Sequence, residues 1–241
     1  MPLIPSPNIW RWPEVYHREN QAQDPAGAIW QALSEVGDWA GADVIDVGCG
    51  EGFHLPLFAD TARSVVGVEP YAPLVARAKA RTSGLDRVRV IEAGAERVPL
   101  PDHCADLVHA RTAYFFGPGC EPGLVEADRL LRPGGLLAVV DLDGGHRPYG
   151  DWMRADIPHY DPADVERFFA RQGFSLRRVR TEWRFPDRAT LEEVLAIEFS
   201  APVARRAINS VPGLSLTVGY RIHTRRRAEG VVTPRRQPDR L

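Results

Sequence analysis

The chain has 241 residues, of which 44% are hydrophobic, and its formal net charge is −2. A chain of this size and apolar content can bury a full core, which is typical of one domain with additions. It contains no uninterrupted apolar run of about 18 residues and no strong positive charge, so a membrane span and a general polyanion binder are both disfavoured. Its first residues do not have the pattern of a secretory signal, and we expect a cytoplasmic protein.

The basic residues and cysteines give little evidence for a nucleic-acid or metal site. Lys79 is the only lysine, so 29 of the 30 basic residues are arginine, and arginine-rich stretches reflect this bias rather than a particular chemistry. Cys49, Cys104 and Cys120 form no C-x-x-C pair and are interpreted as reduced thiols.

The first 23 residues predict an irregular arm with aromatic bulk. They contain four prolines together with Trp10, Trp12 and Tyr16. These aromatic side chains need a surface to pack on, so the arm is a candidate lid that covers a ligand and excludes water. The alternative is that they only attach the terminus to the core.

The next segments predict alternating helices and strands. Asp24 and Pro25 form a cap and first turn, and the apolar periodicity after them predicts a helix that ends at Gly37. Apolar segments then predict five strands, with helices between most of them. The strands lie over 43–48, 62–69, 87–93, 105–110 and 134–142, and two of the helices over 72–81 and 121–131. Near-continuous apolar strands separated by helices predict a doubly wound α/β fold with a mostly parallel sheet.

Beyond residue 150 the pattern predicts additions to this sheet. A helix is expected over 161–173, and strands over 175–183 and 214–222 are expected to pair as an antiparallel edge. Thr190 and Glu193 form a capping box for a further helix. The main domain is therefore predicted over 24–228 with an insertion over 184–213, followed by a poorly ordered tail over 229–241.

The stretch VIDVGCGEG, residues 44–52, predicts the ligand class. A strand, a glycine turn and a helix start present backbone N–H groups to a ligand. Gly48, Gly50 and Gly52 have G-x-G-x-G spacing, which differs from the dinucleotide fingerprint and disfavours an NAD-dependent oxidoreductase. Asp46 beside the turn suits an ammonium or sulfonium charge, and Glu69 at the end of the next strand suits two ribose hydroxyls. The predicted ligand is a nucleoside with a cationic, amino-acid-like end.

Four segments in order resemble the class I S-adenosylmethionine-dependent methyltransferases. They are VIDVGCGEG (44–52), VVGVEP (65–70), AGAERVPLPDHCADLVHA (93–110) and RLLRPGGLLAVVDLD (129–143). The resemblance implies a Rossmann-like seven-stranded sheet of order 3-2-1-4-5-7-6 whose last strand is antiparallel. It also implies S-adenosyl-L-methionine as the cofactor.

The resemblance implies roles for individual residues. Asp46 and the backbone from Gly48 to Gly52 would face the methionine part, and Glu69 would hold the ribose. Many relatives carry an acid at the position of Gly94 beside the adenine. Phe53 and His54 stand where relatives often have polar residues, so the contact to the methionine carboxylate is unassigned. Ala95 and Glu96 would lie beside the adenine, with Glu96 replacing that acid, and the predicted cofactor-binding set also includes Cys49, Pro70, Arg111 and Tyr16.

Methyl transfer from a sulfonium mainly requires that the nucleophile, carbon and sulfur be held in line, and a general base is optional. Tyr114 after the fourth strand and His146 after the fifth are catalytic candidates, with packing and a solvated loop histidine as the respective alternatives. Glu198 stands in an apolar helical stripe and either borders the acceptor cavity or pairs internally with an arginine.

The sequence therefore predicts methyl transfer from S-adenosyl-L-methionine to an oxygen or nitrogen atom of a small metabolite. An RNA or protein methyltransferase and a non-catalytic S-adenosylmethionine-binding protein are the alternatives. The expected partner is the small-molecule acceptor, without nucleic acid or membrane, and the expected assembly is a monomer or homodimer.

Overall fold

The computed structural model describes residues 6–113 and 117–228, and its centre is one seven-stranded sheet. The strand order is β3-β2-β1-β4-β5-β7-β6. The first five strands pair in parallel, whereas β7 is antiparallel to both β5 and β6. The predicted topology is therefore confirmed. The strands are β1 (Asp43–Val47), β2 (Ser64–Glu69), β3 (Val88–Glu92), β4 (Ala105–Arg111), β5 (Leu131–Leu142), β6 (Ser175–Arg184) and β7 (Ser215–Arg226).

The core lies around the central strands. Every residue from Gly135 to Leu142 in β5 is buried, and successive side chains of a strand point to opposite faces. Both faces of the sheet are therefore covered, as the continuous apolar pattern predicts. None of the helices in the two described ranges is long and apolar enough to cross a bilayer. They are α1 (Pro7–Arg11), α2 (Pro13–Ala22), α3 (Ala28–Val36), α4 (Leu55–Ala59), α5 (Ala72–Arg81), α6 (Glu121–Leu130), α7 (Tyr149–Asp156), α8 (Pro162–Arg171), α9 (Arg188–Glu198) and α10 (Ala201–Ser210).

The amino-terminal arm is helical, and the prediction of an irregular segment was wrong. Pro7 and Pro13 each occupy the start of a helix, α1 and α2 respectively. Proline at this position loses no intrahelical hydrogen bond, and its fixed φ favours the helix. The prolines thus mark helix starts rather than an absence of helix.

Two helix starts also differ from the prediction. The Asp24 carboxylate accepts hydrogen bonds from the N–H groups of Ala28 and Ile29, but α3 begins only after Gly27, which has a φ of +70°. At α9 the capping residue is Asp187, whose carboxylate accepts from the N–H of Thr190 at 2.7 Å. An aspartate three residues upstream therefore replaces the expected capping box.

Besides α1 and α2, the helices α7 and α10 were missed from the sequence. The segment after β5, where His146 was expected in a loop, leads directly into α7, which buries Tyr149, Trp152 and Met153 at helical spacing. The segment between β6 and β7 consists of α9 and α10, which contact each other, and α9 also contacts α2. Tyr114 and the tail over 229–241 lie outside the described residues.

Candidate functional site

The glycine turn between β1 and α4 has the backbone that its sequence predicts. Gly48, Gly50 and Gly52 have φ values of +72°, +56° and +76°, in the left-handed region that glycine adopts without strain. The N–H groups of Gly48 and Cys49 both donate to Val68 O of β2. A Cβ at Gly48 would stand 2.6 Å from Ala113 Cβ, so the turn is packed tightly against the segment after β4.

Glu69 ends β2 beside this turn, as predicted. Its Oε2 accepts a hydrogen bond from Gly50 N at 3.1 Å, and its Oε1 accepts from Tyr71 N at 2.9 Å. Burial raises the pKa of this carboxyl, whose residue is only 5% exposed. Each carboxylate oxygen has two lone pairs, so both keep capacity for a ligand hydroxyl.

Asp46 is paired with a residue that the sequence reasoning missed. Its Oδ1 lies 2.7 Å from His109 Nδ1, and the two residues face each other in the register of β1 and β4. Both side chains are buried. Asp46 also contributes to raising the pKa values of Cys49 and Glu69, which places its charge beside the glycine turn. A histidine inside the apolar stretch ADLVHA is the only signal in the sequence for this pair.

Glu51 fixes the turn from the other side and was also missed. Its carboxylate is 2.6 Å from His17 Nδ1, 3.1 Å from Arg81 Nη2 and 3.4 Å from Arg77 Nη2. Arg81 Nε also donates to the Glu51 carbonyl oxygen at 3.1 Å. Since the Glu51 side chain is 1% exposed, these contacts connect the glycine loop to α2 and α5 through a buried charge.

The side expected to hold the adenine is open at Gly94. A Cβ placed there meets no atom within 4 Å, and the N–H of the preceding Ala93 donates to Glu69 O at 3.1 Å. Ala95 is half-buried and Glu96 is exposed. These positions lie near the end of β3, next to Glu69 and the half-buried Pro70, so they remain candidates for the adenine side.

The arm lies across the glycine turn. A Cβ at Gly50 would be 2.9 Å from Ile9 Cδ1, and Ile9 is 7% exposed. The Trp10 ring stacks on Tyr71 with centroids 4.2 Å apart. Trp12, by contrast, is 55% exposed and covers little. Tyr16 hydrogen-bonds Thr112 after β4, and burial raises its pKa.

Glu198 is bound by polar groups of the arm and of α7. Asn8 Nδ2 donates to its Oε1 at 2.6 Å, and Tyr149 OH donates to its Oε2 at 2.6 Å. It also faces the buried Glu19 carboxyl. Burial, followed by the facing Glu198, raises the pKa of Glu19 well above its usual range. The expected arginine ion pair of Glu198 is wrong for the described residues.

His146 and Arg111 lie on two further segments. His146 packs against β7, because a Cβ at Gly219 would stand 2.4 Å from His146 Cβ. Its ring makes no hydrogen bond within the described ranges. Arg111 ends β4, is 8% exposed and donates through Nη2 to Gln23 Oε1 at 2.6 Å. The structure thus brings Glu198, Tyr16 and Arg111 towards one another, while His146 packs against the middle of β7.

Comparison with known proteins agrees with this geometry. A family model described as a methyltransferase domain matches residues 45–139. A probable S-adenosylmethionine-dependent methyltransferase of Mycolicibacterium smegmatis is 36% identical over 100 residues, which cover 42% of this chain and 38% of that protein. A malonyl-[acyl-carrier protein] O-methyltransferase of Pectobacterium atrosepticum is 29% identical over 143 residues, or 58% of this chain and 54% of that protein.

The fold comparison extends over more of the chain. The crystal structure of a putative methyltransferase from Bacillus halodurans has a TM-score of 0.60 at 19% identity, covering 82% of this chain and 98% of that one. The present chain spans only about 38% and 54% of the two curated relatives. The matched range nevertheless contains the glycine turn, Glu69, β2 to β4 and most of β1 and β5. Residues 45–139 therefore match a methyltransferase domain, and by sequence and fold the chain is similar to the class I S-adenosylmethionine-dependent methyltransferases.

Proposed function

We propose that the protein transfers a methyl group from S-adenosyl-L-methionine to an oxygen or nitrogen atom of a small metabolite. The proposed acceptor site rests on one observation, the buried cluster around Glu198, which lies under the arm. Asn8, which binds Glu198, is adjacent in sequence to Ile9, which contacts Gly50. Consecutive residues of α1 thus contact Glu198 and the turn that is expected to hold the methyl donor.

The residues at the turn fit this cofactor. Glu69 has oxygens free to accept ribose hydroxyls, the space beside Gly94 admits a ring, and Asp46 supplies a negative charge near the cationic end. Arg111 Nη1 is a buried donor without a hydrogen-bond partner in the described residues. S-adenosylmethionine, when bound, supplies a methyl group activated by a positively charged sulfur.

The protein itself would contribute by positioning the reacting atoms and by excluding water. The arm covers the turn with Ile9 and Trp10, which shields the site from solvent. Holding the reacting atoms in line accounts for much of the acceleration in such a displacement. We propose that the acceptor lies between this cover and the ends of β4 and β5.

Glu198 is the proposed proton acceptor. We propose that it is the ionised member of the pair with Glu19, because burial and Glu198 raise the pKa of Glu19 well above its usual range, whereas Tyr149 and Asn8 donate hydrogen bonds to Glu198. As the acceptor atom bonds to the methyl carbon, its proton would move to the Glu198 carboxylate. His146, which follows β5, is the second candidate for this role. Tyr149 would orient Glu198 through its hydroxyl.

Calorimetry tests the cofactor assignment. We expect S-adenosylhomocysteine to bind and NAD to give no heat, since the glycine spacing and Asp46 disfavour a pyrophosphate. Absence of heat with both the methyl donor and its demethylated product, on folded protein, would reject the assignment. An RNA-binding activity that weakens with salt would instead support the nucleic-acid alternative.

The acceptor is tested by measuring S-adenosylhomocysteine release with panels of small amines, phenols and carboxylic acids. With the acceptor so found, Glu198→Gln should lower kcat by about 10²- to 10⁴-fold and leave the affinity for S-adenosylhomocysteine unchanged. Glu19→Gln is the matched control, because an amide can replace the protonated carboxyl that donates to Glu198. Equal losses in both variants would contradict the role of Glu198 as proton acceptor.

A further inference from the structure

Arg111 is a buried cation without an ion-pair partner among the described residues. Nη2 donates to the neutral side chain of Gln23, and the guanidinium lies over the rings of Trp30 and Tyr220 at 5.5 and 5.1 Å. Nη1 has no hydrogen-bond partner within the described ranges, although the residue is 92% buried. A guanidinium stays charged in proteins, so an unpaired buried N–H group indicates a missing anionic partner.

The nearest acids do not supply this partner. Glu19 lies close enough for Arg111 to lower its pKa, but burial and Glu198 raise that pKa, and among the described residues Glu19 and Arg111 hydrogen-bond Gln23 rather than each other. Glu198 itself accepts hydrogen bonds from Asn8 and Tyr149. The described residues therefore provide no anionic partner for the Arg111 guanidinium, and we expect this partner to be a bound ligand.

An opposite charge is fixed on the same face of the sheet. His109 stands two residues before Arg111 in β4, so both side chains point to the same face. Both also contact Trp30, with the His109 ring centroid at 5.7 Å. His109 Nδ1 is hydrogen-bonded to Asp46, which leaves acceptor capacity on the carboxylate for a second donor.

These two charges lie on either side of the glycine turn. Asp46 precedes Gly48 by two residues, and Gly48 packs against Ala113, which follows Arg111 by two residues. A ligand that follows this turn towards β4 would meet one fixed anion and one fixed cation. An amino-acid end, with one ammonium and one carboxylate, has the complementary charges.

We propose that Arg111 binds the carboxylate of the cofactor's methionine end, and that His109 is a positioning residue that fixes Asp46 for its ammonium. The proposal assigns the carboxylate contact for which Phe53 and His54 offered no candidate. It rests on the proposed cofactor. It does not depend on the acceptor or on Glu198.

The test compares three ligands by calorimetry. S-adenosylhomocysteine has both charged groups, its decarboxylated analogue lacks only the carboxylate, and 5′-methylthioadenosine lacks the whole amino-acid end. One charge-assisted hydrogen bond corresponds to about 10- to 100-fold in affinity. The wild-type protein should therefore bind S-adenosylhomocysteine about 10- to 100-fold more tightly than the decarboxylated analogue.

Arg111→Met should abolish this preference while leaving 5′-methylthioadenosine binding within about threefold. Arg225→Met is the matched control, because Arg225 pairs with Asp128 rather than with any residue of the turn. It should retain the full preference. Parallel weakening of all three ligands in Arg111→Met would identify a general structural role and overturn the assignment.

His109→Phe should weaken S-adenosylhomocysteine about 10-fold without affecting 5′-methylthioadenosine, and His109→Asn should restore binding because its amide can still donate to Asp46. The comparison on the wild-type protein remains decisive if a variant does not fold. Equal affinity of the wild type for S-adenosylhomocysteine and its decarboxylated analogue overturns the inference while the cofactor assignment stands. Absence of binding by all three ligands would contradict both the inference and the cofactor assignment.

Discussion

The buried carboxyl groups have different kinds of partner in two regions of the molecule. Around the glycine turn each buried carboxylate has basic side chains or backbone donors as partners. Glu51 has two arginines and a histidine, Asp46 has His109, and Glu69 accepts two backbone N–H groups. Such partners hold a carboxylate ionised in one orientation. The turn is thereby fixed before any ligand binds.

The cap formed by α1, α2, α7 and α9 has a different arrangement. There Glu19 and Glu198 face each other, and burial raises the pKa of both carboxyls. Two carboxyls in contact cannot both ionise without repulsion, so this junction depends on pH and on proton transfer. The comparison suggests that the turn is a fixed receptor, whereas the cap is adjustable and able to take up a proton.

The largest effect is expected at Glu51, where the turn is most strongly fixed. Glu51→Gln removes the charge that His17, Arg77 and Arg81 share. Because the two arginine side chains are 35% and 30% exposed, water recovers part of the loss, and we expect the free energy of unfolding to fall by about 2–3 kcal/mol. Urea unfolding measures this change.

The exposed pair of Arg18 and Glu193 is the control for Glu51. Arg18→Ala should lower stability by less than about 1 kcal/mol, because exposed ion pairs contribute little. A loss at Glu51 no larger than the loss at Arg18 would remove the distinction between a fixed turn and an adjustable cap.

The proton on Glu19 gives the second prediction. Its raised pKa means that the stability from the protonated pair is fully present below the ordinary value of 4.5 and is lost as the pH rises through the raised pKa. Glu19→Gln keeps an N–H donor to Glu198 and an oxygen for Gln23, without titrating. It should therefore match the wild type near pH 4.5 and exceed it by about 1–2 kcal/mol at pH 8.

Glu198→Gln should lower the stability of the protein, in contrast to Glu19→Gln. Its amide group would face one of the donors from Asn8, Tyr149 or Glu19, which leaves an unpaired contact and costs about 1–3 kcal/mol. Denaturation curves from pH 4.5 to 8 distinguish the variants. Equal behaviour of the two variants would mean that the proton is not localised on Glu19.

The glycine turn and the cap also differ in how well the sequence predicts them. The sheet order, the glycine turn and the position of Glu69 follow from short segments whose composition and spacing are local signals. Glu19, Asn8 and Glu51 carry no such signal, because their roles arise from contacts between residues far apart in the chain. Prolines at helix starts also concealed α1 and α2, so the cap was the part that could not be assembled from sequence.

The contact between cap and turn gives the third prediction. Gly50→Ala would place a Cβ 2.9 Å from Ile9 Cδ1 at a φ of +56°. We expect a loss of about 1–2 kcal/mol from backbone strain, with additional loosening of the arm. Hydrogen exchange of α1 amides measures that loosening. Adding Ile9→Ala should relieve the contact but not the strain, whereas purely additive effects would show that the arm does not rest on the turn.

The smallest expected effects distinguish Trp10 from Trp12 in the arm. Trp10→Ala removes a ring stacked on Tyr71, which contributes about 0.5–1.5 kcal/mol beyond buried area. Trp12 is 55% exposed, and Trp12→Ala should change stability by less than about 0.5 kcal/mol. If α1 is a cover for the turn, limited proteolysis should cut the arm of the Trp10 variant faster than that of the Trp12 variant, and S-adenosylhomocysteine should slow cleavage of both. Equal cleavage rates with and without this ligand would show that the arm is attached independently of the cofactor site, because a cover that contacts a ligand must respond to its binding.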